Sequence, residues 1–187
     1  MLTLKEIKLM PYARRLVQSA LFAVILCAPL RANADVVTDW NAIALNTSVA
    51  AGNGPAPQAR IAAIVHAAIF DSVNAIEPRY SIYAVSPPVT LPASPEAAAA
   101  AAAHRVLVRL FPAAQSLLDS QYAASLAQTA DGDAKTNGIA VGEFVAAEMV
   151  ALRLNDGSAP QPYTLPPPGL GIWRPTAPTP CLPGGAE

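Results

Sequence analysis

The sequence predicts an all-α protein of about five helices, and three observations carry that expectation. Beyond residue 34, glycine and proline cut the chain into pieces of helical length. Within those pieces apolar residues recur at three- and four-residue intervals, and no stretch alternates apolar and polar residues for long enough to make a strand. A run of seven alanines, Ala97 to Ala103, adds the strongest single helix former in the chain.

Residues 1–34 stand apart from this pattern. Lys5, Lys8, Arg14 and Arg15 precede an apolar run from Leu16 to Leu30, and Ala32-Asn33-Ala34 supplies small residues for cleavage, so the segment reads as a secretory signal peptide. Its apolar core is shorter than the roughly 18 to 20 residues of a spanning helix and is broken by Pro29, which predicts no stable membrane span. The residues around Arg14-Arg15 fit twin-arginine export poorly, and Leu26 ahead of Cys27 argues against lipid attachment. The chain is expected to be exported, to the periplasm or the extracellular medium, with cleavage before Asp35.

The first helix is expected around Asp39 to Asn46, where Trp40, Ile43 and Ala44 share a face, followed by the loop Gly52-Asn53-Gly54-Pro55. A second should start near Pro57 and stop before Pro78, because proline suits a first helical turn and disfavours helix in the residue ahead of it. Its apolar face is Ile61, Val65, Ala68, Ile69, Ser72, Val73 and Ile76. The prolines of segment 79–93 forbid a helix, and Tyr80, Ile82 and Tyr83 are expected to pin that loop onto the bundle. Ser94-Pro95-Glu96 reads as N-cap, first helical position and acidic first turn of a third helix that carries the alanine run and ends near Phe111.

Pro112 is expected to open a fourth helix, with Leu118, Tyr122, Ser125, Leu126 and Thr129 as its stripe and Asp131-Gly132 as its end. The fifth runs from about Asp133 to Leu154, with Val141, Val145, Met149 and Leu152 on one face. Gly138 and Gly142 lie on that same face and each costs roughly 1 kcal/mol of helix propensity, which predicts a neighbouring helix at close range. Nine of the 19 prolines fall between Pro160 and Pro183, so residues 158–187 form an extended tail, expected to lie as a strap anchored by Tyr163, Leu170, Ile172 and Trp173. The expected organisation is therefore signal peptide 1–34, helical domain 35–157 and Pro-rich tail 158–187.

Composition excludes several functions. Five of the 12 Lys and Arg residues and one of the 13 Asp and Glu precede residue 35, so seven basic and 12 acidic groups remain, a formal charge of −5. No basic cluster is left to displace counterions, which argues against a nucleic-acid partner. Cys181 is the one cysteine beyond Cys27, so the processed chain has no intrachain disulfide. Among chemical groups, His66 and Asp71 are the first pair to consider. On a helix His66 sits roughly 100 degrees from the apolar face, and Asp71, five positions on, points elsewhere. The pair is not an acid–base couple, and His66 reads as a boundary histidine bonded to a neighbouring segment. His104, beside Arg105, reads as a helix-surface residue. With two histidines on separate helices, no zinc site is expected.

Five blocks in order, VVTDWNAIAL, ARIAAIVHAAIFDSVNAIEPRY, ASPEAAAAAAAHRVLVRLFP, VGEFVAAEMVALRLNDGS and PGLGIWRPT, resemble the amino-terminal half of bacterial secreted proteins related to vanadium-dependent haloperoxidases, within the type 2 phosphatidic-acid phosphatase superfamily. The resemblance spans Val36 to Thr176. It implies a helical fold in which vanadate or phosphate is held by lysine, arginines, serine and glycine amides around a histidine, all supplied by the other half. Those residues come as Lys-x6-Arg-Pro, Pro-Ser-Gly-His and Arg-x5-His. Here Arg174-Pro175 has Pro167 where the lysine should stand, and Pro-Ser-Gly-His does not occur. No catalytic, cofactor-binding or metal-binding residue is carried over, and no cofactor is expected on this chain, vanadate being implied for the full-length family.

The resemblance fades after Thr176, where the family would enter its second half, so the chain looks truncated. The first expectation is a non-catalytic amino-terminal half whose partner is a missing carboxy-terminal half or a second copy. The alternative is a small secreted binding module whose Pro-rich tail docks a partner. Because much of the apolar content is alanine, the core is expected to be thin, with the Val141, Val145 and Met149 face of the fifth helix uncovered.

Overall fold

The computed structural model describes residues 35–158, 164, 167 and 169–172. The expected signal peptide, and Tyr163, Trp173 and Cys181 of the tail, lie outside the described residues. These form five α-helices: α1 (Val36–Ala50), α2 (Pro55–Ile76), α3 (Pro95–Leu110), α4 (Gln115–Leu126) and α5 (Asp133–Leu152). A 3-10 turn at Pro112–Ala114 joins α3 to α4, and no strand is present among the described residues. The all-α expectation is met.

Caps explain where the helix ends depart from expectation. Asp35 accepts a hydrogen bond from the Thr38 amide at 2.8 Å, so α1 starts at Val36, three positions before Asp39, which lies in its first turn. It also runs past Asn46, because Thr47 and Ser48 are buried on its inner face and continue the packing of Trp40 and Ala44. Gly54 caps α2, which therefore begins at Pro55 instead of Pro57. Ser94 caps α3 as expected, accepting from the Ala97 amide at 3.1 Å, with Pro95 in the first turn. Pro112 opens the 3-10 turn and not the helix itself, and α5 ends at Leu152, two residues early, with Arg153 at its C-cap.

Helix α3 is the centre of the bundle, touching α1, α2, α4 and α5, with its most extensive contact on α5. All seven alanines from Ala97 to Ala103 are buried. A helical segment buried on every side needs side chains that stand no taller than a methyl if its neighbours are to approach closely, and the alanine run supplies that. Gly138 and Gly142 of α5 meet it directly. A Cβ at Gly142 would collide with the Ala98 carbonyl and come within 2.8 Å of Ala101 Cβ and 2.9 Å of Ala102 N; one at Gly138 would collide with the Ser94 carbonyl. The close neighbour that the two glycines predict is therefore α3. The seam is extended by the Ser94 amide, which donates to Ala134 O at 2.7 Å, and by Asn137 Nδ2, which donates to Pro92 O at 2.9 Å.

This arrangement corrects the expectation of an uncovered fifth helix. Val141, Val145 and Met149 are buried within the chain's own core, together with Trp40, Val65, Val106, Leu107 and Leu118. Small residues let α3 and α5 pack at close range. Two further expectations fail at the surface. Tyr80 and Tyr83 are mostly exposed, and the loop contributes Val85 to the core instead. Leu170 is fully exposed and does not anchor a strap. Among the described residues α2 is long and apolar enough to cross a membrane, but Ile61, Ile64, Val65, Ala68 and Ile69 are buried against the other helices, which is sufficient reason for its composition.

Candidate functional site

The polar residues of α2 divide their work between two neighbours. His66 is half-buried and its Nε2 donates to Asn41 Oδ1 of α1 at 2.9 Å, as a boundary histidine does. Asp71 is fully buried and faces away from it. Its Oδ1 accepts from the Tyr83 amide at 2.7 Å, and its Oδ2 accepts from the Ala84 and Val85 amides at 2.9 and 2.8 Å. One turn on, Asn74 Oδ1 accepts from the Arg79 and Tyr80 amides, both at 2.9 Å, while its Nδ2 donates to Tyr80 O. Five amides and one carbonyl of a loop that cannot form its own ladder are thereby satisfied, and the loop is pinned through its backbone. The sequence signal was an Asp-x-x-Asn pair on a helix face followed by a Pro-rich loop.

His104 departs from the surface position expected for it. Its imidazole stacks on Tyr122 of α4, with centroids 4.2 Å apart and planes at 7°, and meets the edge of Trp40 at 6.2 Å. Its Nε2 donates to Asp119 Oδ1 at 2.7 Å, while Nδ1 is buried without a partner, as are Trp40 Nε1 and Ser48 Oγ. The cluster ties α1, α3 and α4 together through aromatic contact. Burial, reinforced by the carboxylate of Glu143, pushes the Tyr122 phenol up to about 12 from its ordinary 10.0. A raised folded value means that Tyr122 contributes stability fully below pH 10 and loses it as pH rises through about 12. A tyrosinate absorbance step near that upper pH should accordingly be missing from Tyr122→Phe, and the variant should lose less stability than the parent across the same window.

A third cluster lies where α2, the end of α5 and the loop meet. Arg60 Nε donates to Asp156 Oδ2 at 2.8 Å and its Nη2 to Arg153 O at 3.1 Å; Arg153 Nη2 donates to Tyr83 Oη at 2.8 Å. The Arg60 hydrogen bond, joined by one from Ser158, holds the Asp156 carboxyl down at about 2, against an ordinary 3.8. Its contribution is thus fully present above pH 3.8 and lost only as pH falls through about 2. These side chains wall a groove of about 520 Å³ with Ile64, Ala67, Phe70 and His66. On the other side of Phe70 a second groove, of about 600 Å³, is lined by Val37, Ile69, Val73 and Tyr80.

Arg60 stands six residues before His66, so the Arg-x5-His spacing, alone among the family's three motifs, does occur once. The two side chains share the groove, yet Arg60 is committed to Asp156 and a backbone carbonyl. Three other cations are similarly answered, Arg79 by Glu77, Arg105 by Glu143 and Lys135 by Asp131, while Arg109 and Arg153, which make no ion pair among the described residues, lie on separate segments. A multiply charged oxyanion such as vanadate requires several unanswered cations converging on one point. The described residues do not fit it. Nor do three His, Cys, Asp or Glu side chains gather in a metal-binding group among them. Compared with known proteins, the chain matches no family model, no curated protein and no solved structure.

Proposed function

We propose that this chain is the non-catalytic amino-terminal helical half of an exported protein related to vanadium-dependent haloperoxidases and type 2 phosphatidic-acid phosphatases, acting as scaffold for a catalytic half that this chain does not contain. One observation carries the reading: the chemical groups in the blocks that resemble the family are used to build structure. His66 joins α1 to α2, while Asp71 and Asn74 hold the loop that leads into α3. Four of the five blocks lie in α1, α2, α3 and α5, and these pack around the alanine run. The scaffold is then a rigid body that presents faces, with no acid–base work assigned to its histidines.

Coding DNA beyond the Glu187 codon tests the proposal. It should encode Lys-x6-Arg-Pro, Pro-Ser-Gly-His and Arg-x5-His in some frame, and an unrelated gene there would remove it. Export is tested separately by intact mass, which should correspond to a product starting at Asp35; a product starting at Met1 contradicts it.

A second reading, a self-contained secreted binding module, is favoured by the α3–α5 seam, because Val141, Val145 and Met149 need no further half to cover them. The same DNA separates the two.

A further inference from the structure

We infer that the groove between α2 and the end of α5 is a binding site for an aromatic monocarboxylate, with Arg153 as its anion-binding residue. The inference is independent of the proposed function, since it rests on one groove and its charges.

Three cationic or acidic groups set the charge of the groove. Arg60 and Asp156 neutralise one another at 2.8 Å, and the depressed carboxyl keeps Asp156 ionised throughout the neutral range. Arg153 makes no ion pair among the described residues; its one side-chain bond is to the Tyr83 hydroxyl, which orients the guanidinium without answering its charge. Arg60, Asp156 and Arg153 together therefore leave one net positive charge in the groove. A single planar guanidinium matches a single carboxylate by two parallel N–H···O bonds. A phosphate dianion would bring a second charge toward Asp156, which has no spare cation.

The rest of the groove selects the body of the ligand. Along one side of α2, Arg60, Ala63, Ala67 and Phe70 follow the three- and four-residue spacing of a single face, over about 15 Å of helix. Ala63 and Phe70 are exposed, so this face of α2 is left bare between a charged end and an aromatic one. Tyr83 lines the same groove, also exposed, with its hydroxyl on Arg153. Two rings and a floor of Ile64 and Ala67 suit a flat aromatic body, whose stacking adds to its burial. The volume of about 520 Å³ falls in the range of small-molecule sites.

The test uses the purified chain and 2-naphthoate, with 2-naphthol and 2-naphthyl phosphate as comparison probes in calorimetric titration. Naphthoate should bind at least about tenfold more tightly than naphthol or naphthyl phosphate, since only the carboxylate satisfies Arg153 at matched charge. Arg153→Gln should weaken naphthoate by at least about tenfold, with an unchanged circular dichroism spectrum, and Arg109→Gln, at an exposed position of α3, should leave it within about twofold. If Arg153→Gln fails to fold, the wild-type chain still decides: naphthoate should move the Nε resonances of Arg60 and Arg153 and not that of Arg109. Equal binding of naphthol, tighter binding of the phosphate, an Arg153→Gln variant as strong as the parent, resonance shifts at other arginines, or no naphthoate binding would each overturn the assignment.

Discussion

Gly142→Ala should destabilise the domain by about 2 kcal/mol or more, although alanine is the better helix former by roughly 1 kcal/mol. The methyl would be built into the Ala98 carbonyl and within 3 Å of Ala101 Cβ and Ala102 N, and backbone atoms of a buried helix cannot swing aside as a flexible side chain does. Either α3 and α5 separate along the whole seam or one of them shifts, and both outcomes open voids around Ala98 to Ala102. Ala147, exposed on the far side of α5, supplies the control. Ala147→Gly should cost roughly 1 kcal/mol through propensity alone, so that adding a methyl on one face is worse than removing one from the other. Urea unfolding of the two variants checks the order; a Gly142→Ala protein as stable as the parent would mean that the helices do not touch there.

The second large effect belongs to Asp71. Asp71→Ala should cost about 3 kcal/mol, because three loop amides lose their acceptor and the Val85 amide is buried where water does not replace it. Asp71→Asn should fall between, keeping an acceptor oxygen but turning an NH2 group toward amides that need one. Both should release the loop before they unfold the bundle. Trypsin cleavage after Arg79, which precedes the segment held by Asp71 and whose own amide is held by Asn74, should therefore accelerate well below the unfolding transition. Unchanged cleavage in Asp71→Ala would show that the loop is fixed by its side chains instead.

Helices and their order were legible in the sequence because their signals are local. Ser94-Pro95, Gly52 to Pro55 and Asp131-Gly132 punctuate the chain whatever the tertiary fold, and two glycines on an apolar stripe announce a close partner. The identity of that partner was not legible. Nothing local says that an alanine run is buried on every side, since alanine serves equally well on a surface, and the covering of Val141, Val145 and Met149 followed only from where α3 lies. His104 was misplaced for the same reason: its neighbours in sequence are alanines and Arg105, while its neighbours in space are Trp40 and Tyr122, which lie 64 and 18 positions away. The Arg153 groove needed three distant segments to meet, which no spacing rule encodes.

Native-state amide hydrogen exchange across the alanine run measures the central claim, that these helices complete one core of their own around α3. The amides within Ala98 to Ala103 should be among the slowest in the chain and should exchange together with those of Val145 to Met149 in α5, at the free energy of global unfolding, because neither helix can open without the other. Exchange of the alanine amides within minutes, while α2 remains protected, would show a seam that closes only when something else covers it, and would contradict the account.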